Sequence, residues 1–321
     1  MTGFRVSGDI SDFRGLLAKV GNGETLSIGE AERAFDIMTS GDATPAQMGA
    51  FLMGLKVRGE TAEELAGGAR ALRAKVHKVK APEGAIDIVG TGGDHHGTYN
   101  VSTCSAFVVA GAGVPVAKHG NRAFTSKSGA ADVLGALGIG LELSIETLER
   151  ALVEANVCFL MAPRHHSAMR NVAGPRVELA PNRTIFNLLG PMSNPALVKR
   201  QLVGVFDRRW LKPVAVALGQ LGLERALVVH GRDGMDELTT TTTSWAASLE
   251  IVGDEAYLPG EESPHNPNQH GRWAGGKPRK LTDEERREYT RQYMREYRAA
   301  NLERVRRQHR ESKARCKARN A

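Results

Sequence analysis

The sequence is short of several things, and each scarcity excludes a class of protein. Its three cysteines among 321 residues, Cys104, Cys158 and Cys316, lie far apart. They match no metal-binding spacing and are too few for a disulfide scaffold. Two of them sit in apolar patterns, which reads as buried free thiols in a reducing cytoplasm. No run approaches the ~18 apolar residues of a membrane span. The first residues show no basic-then-apolar leader, so a cytoplasmic chain without a membrane segment is expected. The body of the chain also lacks net charge. Of 43 Lys+Arg and 36 Asp+Glu, 17 and 11 fall in residues 254–321, leaving 26 and 25 for residues 1–253. The formal +7 therefore belongs to the tail. With 41% hydrophobic and 25% charged residues, the length suits a soluble globular chain of one large or two modest domains with a sizeable core.

What is present is organised around one stretch, Gly90-Thr91-Gly92-Gly93-Asp94-His95-His96-Gly97-Thr98-Tyr99-Asn100-Val101-Ser102-Thr103. Ile86-Asp87-Ile88-Val89 leads into it as a strand, and Ala106, Phe107, Val109 and Ala110 follow at helical spacing. Strand, glycine-rich turn and hydroxyls at a helix start form the layout of an anion site. Glycines let a phosphate approach the backbone, and a helix N-terminus offers unpaired N–H groups at the positive end of its dipole. His95 occupies the place of the last glycine of G-x-G-x-x-G, and no Gly-Lys-Ser/Thr follows as in a P-loop. A phosphate site of another kind is expected.

Residues 1 to about 80 read as helices only. Ser11 precedes Phe13, Leu16, Leu17 and Val20 at helical spacing. Ser27 with Glu30, Thr44-Pro45 with Gln47, and Thr61 with Glu64 each spell a capping box. Met48, Phe51, Leu52 and Leu55 form one apolar stripe, fit for a core or for a partner subunit, and Gly59 is a stop. From about 81 to 253 the rhythm becomes strand, turn, helix. Strands are expected at 114–117, 157–161, 202–206 and 226–229, and helices at 131–137, 148–155 and 211–221. The alternation predicts an α/β domain with a mainly parallel sheet, whose sites gather at the C-terminal ends of the strands.

The polar clusters fall there. Lys118-His119-Gly120-Asn121-Arg122 follows a strand and is succeeded by Ser126-Lys127-Ser128-Gly129. These residues fit a polyphosphate or, equally, a solvated basic loop. The adjacent carboxylates of Gly234-Met235-Asp236-Glu237 fit ordinary surface charge or, beside a phosphate, a magnesium site. His166 alone suits packing or capping better than catalysis. Arg176 suits either a bidentate carboxylate contact or a surface ion pair.

Taken in order, these segments resemble the anthranilate phosphoribosyltransferases. The carriers are Gly90 to Asp94, Asn100 to Thr103, Lys118 to Ala123, Ser126 to Gly129, Arg183-Thr184-Ile185-Phe186-Asn187-Leu188-Leu189-Gly190-Pro191 and Gly234 to Glu237, with Gly49-Ala50-Phe51-Leu52-Met53 in the helical part. The resemblance covers roughly residues 10 to 250. It implies a small helical domain (1–80) joined to a larger α/β domain (81–253), usually in a homodimer through the helices. The implied reaction moves phosphoribosyl from phosphoribosyl pyrophosphate to the amine of anthranilate, in tryptophan biosynthesis. By the same resemblance Gly90, Gly93, Asp94, Thr98, Asn100, Ser102, Thr103, Lys118 and Ser126 would hold phosphoribosyl pyrophosphate. Val101, Gly120, Arg122 and Ala130 would be further substrate contacts. Ser102, Asp236 and Glu237 would bind Mg²⁺, and Asn121 and Arg176 would face anthranilate. His119 and His166 are candidate proton acceptors. The spacing from Arg176 to Arg183 is one residue longer than the family's usual, and Ser167 stands where the family commonly has proline; neither removes a ligand.

After about Val252 the resemblance stops, and the end of the family's large domain is expected to be missing. Pro259 to Pro278 reads as a linker. Leu281 to Ala321 reads as a charged helix opening at Thr282, with Tyr289, Tyr293 and Tyr297 at i, i+4 and i+8. A solvated helix, a nucleic-acid-binding arm and a joined reading frame all fit it. Two other functions compete with the transferase: an inactive relic fused to a nucleic-acid-binding helix, and an enzyme like the pyrimidine nucleoside phosphorylases. Thr184 to Pro191 favours the transferase over the latter.

Overall fold

A computed structural model describes residues 10–92, 99–122, 129–252, 255–257 and 263–265. Four helices open the chain: α1 (Ile10–Gly21), α2 (Ile28–Ser40), α3 (Pro45–Arg58) and α4 (Ala62–Ala74). All three capping boxes form. Ser27, Thr44 and Thr61 accept from the backbone N–H three residues on, and the side chains of Glu30, Gln47 and Glu64 return to the cap. Each pair satisfies donors that a helix start leaves open. Glu64 does more than cap. Fully buried, it also accepts from the Leu26 N–H at 2.9 Å and pairs with Arg58. The stripe of Met48, Phe51, Leu52 and Leu55 turns inward, Phe51 lying 5.4 Å from Phe13 and 6.1 Å from Phe35 between ring centres. It is core and does not face a partner.

The remaining elements are β1 (Ile86–Gly90), α5 (Val101–Gly111), β2 (Val116–Gly120), α6 (Ala130–Ala136), α7 (Ile145–Glu154), β3 (Val157–Met161), α8 (Ala162–His165), α9 (Arg170–Glu178), α10 (Phe186–Leu189), β4 (Arg200–Gly204), α11 (Leu211–Gln220), β5 (Arg225–Gly231), β6 (Ser244–Val252), β7 (Glu255–Tyr257) and β8 (Ser263–His265). The sheet runs β3-β2-β1-β4-β5-β6-β7, with β8 also paired to β6. Its first five strands are parallel, and β6 to β8 add antiparallel pairs. The mainly parallel α/β sheet expected from the sequence is present.

Three expectations need correction. Lys118, His119 and Gly120 are the end of β2, paired to Phe159, Leu160 and Met161, and not a loop after it. The strand β6 is an addition to the expected elements, although Trp245, Ala247, Leu249 and Ile251 alternate with period two. Within the expected linker, Ser263–His265 pairs with β6. Of the two thiols described, Cys158 is buried, which pushes its pKa up to about 12, whereas Cys104 is exposed on α5.

One core cluster joins the helical bundle to a face of the sheet, through Leu65, Leu72 and Phe35 on one side and Val203, Leu211, Leu218 and Val228 on the other. Leu148, Leu152 and Leu160 pack with Ala117 in a separate cluster. Within the bundle α2 and α4 touch backbone to backbone at Gly67. A Cβ there would meet Ala31 Cβ at 2.6 Å and Glu32 N at 2.7 Å, besides the Ile28 carbonyl. Helix propensity favours alanine over glycine by ~1 kcal/mol, while forcing a methyl into a packed contact costs about 1–3 kcal/mol. Gly67→Ala should therefore lower the melting temperature. Gly49→Ala, in α3 with nothing within 4 Å of the added atom, should raise it slightly; equal shifts of the same sign in thermal denaturation would contradict the close contact.

Candidate active site

Four of the five parallel strands end on glycine: Gly90, Gly120, Gly204 and Gly231. Gly90 and Gly204 lie level as register partners. Their bare backbones admit the loop that follows β5. A Cβ on Gly90 would meet Asp236 Oδ2 at 2.7 Å, and one on Gly204 would overlap the Asp236 backbone. Asp236, itself buried, accepts a hydrogen bond from the Gly92 N–H at 2.6 Å, and Gly92 has φ +66. Side chains at 90 or 204 would push this carboxylate off the rim.

The loop is held from within. Asp233 accepts from the Met235 N–H at 3.3 Å and from the hydroxyls of Thr239 and Thr241 at 2.5 and 2.7 Å. The Gly231 N–H donates to the Met235 carbonyl at 2.8 Å, and Gly234 takes φ +96. On the other side of the rim, the Thr91 N–H bonds the Gly204 carbonyl and the Thr91 hydroxyl accepts from Phe206 N. The turn after β1 is thus stitched to the end of β4.

Lys118 lies under the rim, 3% exposed. Its Nζ donates to the Ile88 carbonyl at 2.6 Å and to Ser102 Oγ at 3.3 Å. Burial lowers its pKa, and Asp87 and Glu237 oppose that by favouring the charged form. Asp87 is the group that sequence inspection misses. Fully buried in β1, it accepts from His119 N at 3.1 Å, Asn194 Nδ2 at 2.7 Å and Gln201 Nε2 at 3.3 Å. Burial pushes it up to about 6, with Lys118 and the three donors pulling the other way. Its one sequence signal is an acid inside the apolar run Ile86-Asp87-Ile88-Val89. Its partners lie over 30 residues away.

At the start of α5, Asn100 makes no side-chain cap. The Val101 N–H donates to the Tyr99 carbonyl at 2.7 Å, and the N–H groups of Ser102 and Thr103 keep the anion-binding character of a helix N-terminus. Thr103 Oγ1 is buried without a hydrogen-bond partner. After β2, Asn121 bonds the Arg122 N–H through its own amide oxygen, and Arg122 reaches Asp132 at 3.6 Å. Gly120 approaches Ala130, whose Cβ would lie 3.4 Å from an added one. The expected contacts Gly93, Asp94, Thr98 and Ser126 lie outside the described residues, as does the helix expected at 281–321.

Successive strand residues point to opposite faces, so His119 faces away from Lys118. It meets His166 with ring centres 5.1 Å apart. Both imidazoles are buried and their Nε2 atoms have no partner. Burial holds His119 well below the usual imidazole range, with His166, His165 and Lys118 acting in the same direction. Burial likewise takes His166 down to about 4, and His165 adds to it. Both rings are neutral near pH 7. Arg176, in the last turn of α9, stacks over Phe186 at 5.1 Å and has no carboxylate partner among the described residues. Burial lowers its pKa as well. The structure thus brings together Gly90, Ser102, Lys118, Asp236 and Glu237, and separately His119 with His166; Arg176 stands with Phe186.

Two carboxylates and a hydroxyl are hard oxygen donors of the kind Mg²⁺ takes. Among the described residues no group of three or more His, Cys, Asp or Glu could hold a metal alone. A cation here would complete its shell with substrate and water oxygens. No helix of the described residues is long and apolar enough to cross a membrane.

Comparison with known proteins gives the family. A family model described as "Glycosyl transferase family, helical bundle domain" matches residues 14–76, and one described as "Glycosyl transferase family, a/b domain" matches residues 82–296. Anthranilate phosphoribosyltransferase of Rhodopseudomonas palustris (strain BisB5) is 57% identical over 256 residues, 77% of this chain and 75% of the relative. That of Brucella suis biovar 1 is 60% identical over 241 residues, 75% and 70% of the two chains. The crystal structure of the Thermus thermophilus enzyme matches with a TM-score of 0.70 at 43% identity, over 76% of this chain and 72% of that one. The Saccharomyces cerevisiae enzyme in complex with PRPP and Mg matches at 0.68 and 29% identity, over 75% and 71%. On these family models and relatives, the chain belongs to the anthranilate phosphoribosyltransferases of the glycosyl transferase family.

Proposed function

We propose that this chain transfers phosphoribosyl from phosphoribosyl pyrophosphate to anthranilate with Mg²⁺ in its own glycine-rimmed site, giving N-(5-phosphoribosyl)anthranilate and pyrophosphate. The observation that carries the reading is the seating of Asp236 on the Gly92 N–H at the glycine rim, with its neighbour Glu237 acting on the buried Lys118 that bonds Ser102. Breaking the bond from ribose C1 to pyrophosphate builds negative charge on the leaving group and oxocarbenium character on the sugar. The first-turn N–H groups of α5 and the buried ammonium of Lys118 are fixed donors that favour the anion without reorganising. Mg²⁺ would be held by Asp236, Glu237 and Ser102, and would supply further charge stabilisation at the pyrophosphate.

The other half of the site suits the acceptor. Arg176 offers a guanidinium without a carboxylate of its own, flattened against Phe186, which fits the carboxylate of anthranilate. The free Nε2 atoms of neutral His119 and His166 suit acceptance of hydrogen bonds from the amine. A weak base suffices, because the amine becomes acidic only as it bonds to the sugar, and positioning supplies much of the rest. Asn121 flanks this side, with Gly90, Val101, Thr103, Gly120, Arg122 and Ala130 along the phosphoribosyl side. The helical part (1–80) and the α/β part (81–253) are proposed as two domains, their family matches meeting between residues 76 and 82. A homodimer through the helices and a cytoplasmic location complete the proposal; free Cys104 and Cys158 suit a reducing compartment. The relic and nucleoside phosphorylase readings are not favoured, because the relatives named above are anthranilate phosphoribosyltransferases.

Fluorescence of the product from anthranilate, phosphoribosyl pyrophosphate and Mg²⁺ measures turnover, and a folded chain that produced none would reject the proposal. Asp236→Asn should reduce kcat/KM by about 10²-fold or more, on the scale of losing one preorganised electrostatic contact, and should raise the Mg²⁺ concentration for half-maximal rate. Arg176→Lys should raise KM for anthranilate at least ~10-fold through loss of the bidentate fork. KM for phosphoribosyl pyrophosphate should hardly move; equal rises in both would remove Arg176 from the acceptor side.

The buried His166 also makes a pH prediction. Its folded pKa of about 4 lies below the ordinary 6.5, so the unfolded chain takes the proton first as pH falls. Its contribution is full above pH 6.5 and lost between 6.5 and 4. Asp87, raised from 3.8 to about 6, works in the opposite sense in that lower range. The parent chain alone therefore mixes the two. The stability of His166→Gln relative to the parent should rise by on the order of 3 kcal/mol from pH 6.5 to 4, at ~1.4 kcal/mol per unit. Parallel denaturation curves for the two chains across that range would show that His166 is not held neutral.

A further inference from the structure

A cavity of about 590 Å³ opens far from the glycine rim, between the helical bundle and the N-terminal end of the sheet. Arg70 and Arg73 reach it from α4, Glu32 from α2, Lys78 from the link to β1, and Lys199 from the residue before β4. Lys199 and Gly204 stand at opposite ends of that strand, so ~16 Å of chain at ~3.3 Å per residue separates the cavity from the rim. The volume is within the ordinary range for small-molecule sites, ~300–1,000 Å³.

Its charge is unusual. Four cations face one carboxylate, and none of the five side chains makes an ion pair among the described residues. The surrounding ion pairs are self-contained: Lys75 takes Asp36, and Arg200 takes Glu224. The cavity cations are fixed by backbone carbonyls instead. Arg70 donates to Gln220 O at 3.1 Å, Arg73 to Met192 O at 2.7 Å and Leu221 O at 3.3 Å, and Lys199 to Gly222 O at 2.9 Å. These bonds use one of the five N–H donors of Arg70 and two of those of Arg73. The forks are held in place with donors left over, and binding an anion would order little that is not ordered already. Burial lowers the Arg73 pKa to about 10, as expected of a guanidinium that no anion compensates. Lys78 makes no hydrogen bond or ion pair at all among the described residues.

We propose that this cavity is a second anion site that takes a multiply charged phosphate group, distinct from the phosphoribosyl pyrophosphate site at the rim. The arginine forks match phosphate oxygens bidentately and the lysines add point charge. Because the lining comes from both sides of the shared core, a bound phosphate would tie α4 to the turn after α11 and raise thermal stability.

The probe is inorganic phosphate, titrated calorimetrically into the full chain at low ionic strength and again with Mg²⁺ and phosphoribosyl pyrophosphate held saturating. One phosphate per chain is expected under both conditions, with a rise in melting temperature. Lys78→Gln removes a side chain with no partner, so it should fold as the parent does. It should weaken binding at least fivefold, and the double variant with Lys199→Gln should abolish it, while turnover without added phosphate stays unchanged. No binding to the parent chain would overturn the proposal. So would binding that saturating phosphoribosyl pyrophosphate removes and Lys78→Gln leaves intact, which would locate the phosphate at the rim. Citrate bound more tightly than phosphate in the Lys78-dependent mode would overturn the assignment to a phosphate group.

Discussion

The seating of the 233–237 loop on the bare ends of β1 and β4 is the contact on which the site depends. One N–H to carboxylate bond, Gly92 to Asp236 at 2.6 Å, spans 144 residues of sequence. It forms only because neither Gly90 nor Gly204 carries a side chain between the loop and the sheet. The loop in turn keeps its shape through Asp233, whose carboxylate gathers one backbone and two hydroxyl donors. A buried carboxylate at such a rim is tolerable because the Gly92 N–H donates to it at 2.6 Å.

A second buried acid supports the same end of the sheet from beneath. Asp87 ties β1 to the end of β2 through His119 N, and to the 191–201 segment through Asn194 and Gln201. Lys118 then projects to one face of β2 and His119 to the other, so one strand serves two chemically different compartments. The proposed phosphate side holds the Lys118 ammonium beside Ser102 at the start of α5. The proposed acceptor side holds neutral imidazoles and a stacked guanidinium.

Much of this is legible in the sequence alone. The three capping boxes state their bonding partners within four residues, and all three form. The β1 to α5 unit, the strands at 157–161 and 226–229, and the helix at 211–221 follow from local apolar periodicity. Lys118-His119-Gly120 reads as a loop because polarity suggests exposure, whereas burial there is stabilised by Ile88 O, Asp87 and Ser102 from other segments. The strand β6 escapes a sequence reading although its alternation is visible, since the run Thr239–Thr243 before it resembles the start of a loop. Asp87 and the cavity cations cannot be assigned partners from sequence, because a hydrogen bond to a distant carbonyl leaves no local pattern.

The ligand groups proposed for the site come from four separate segments of the chain, at 90–102, 118–122, 166–176 and 236–237. Their alignment depends on pairing between strands far apart in the chain, and such non-local closures are the slow steps of folding. The site is therefore a late product of chain collapse: it comes into being only once β5 has docked beside β4 and carried its loop over the rim. Ligand capture in a nascent or partly denatured population would count the molecules that have completed this topology, whereas helix content, to which local segments contribute without it, would not.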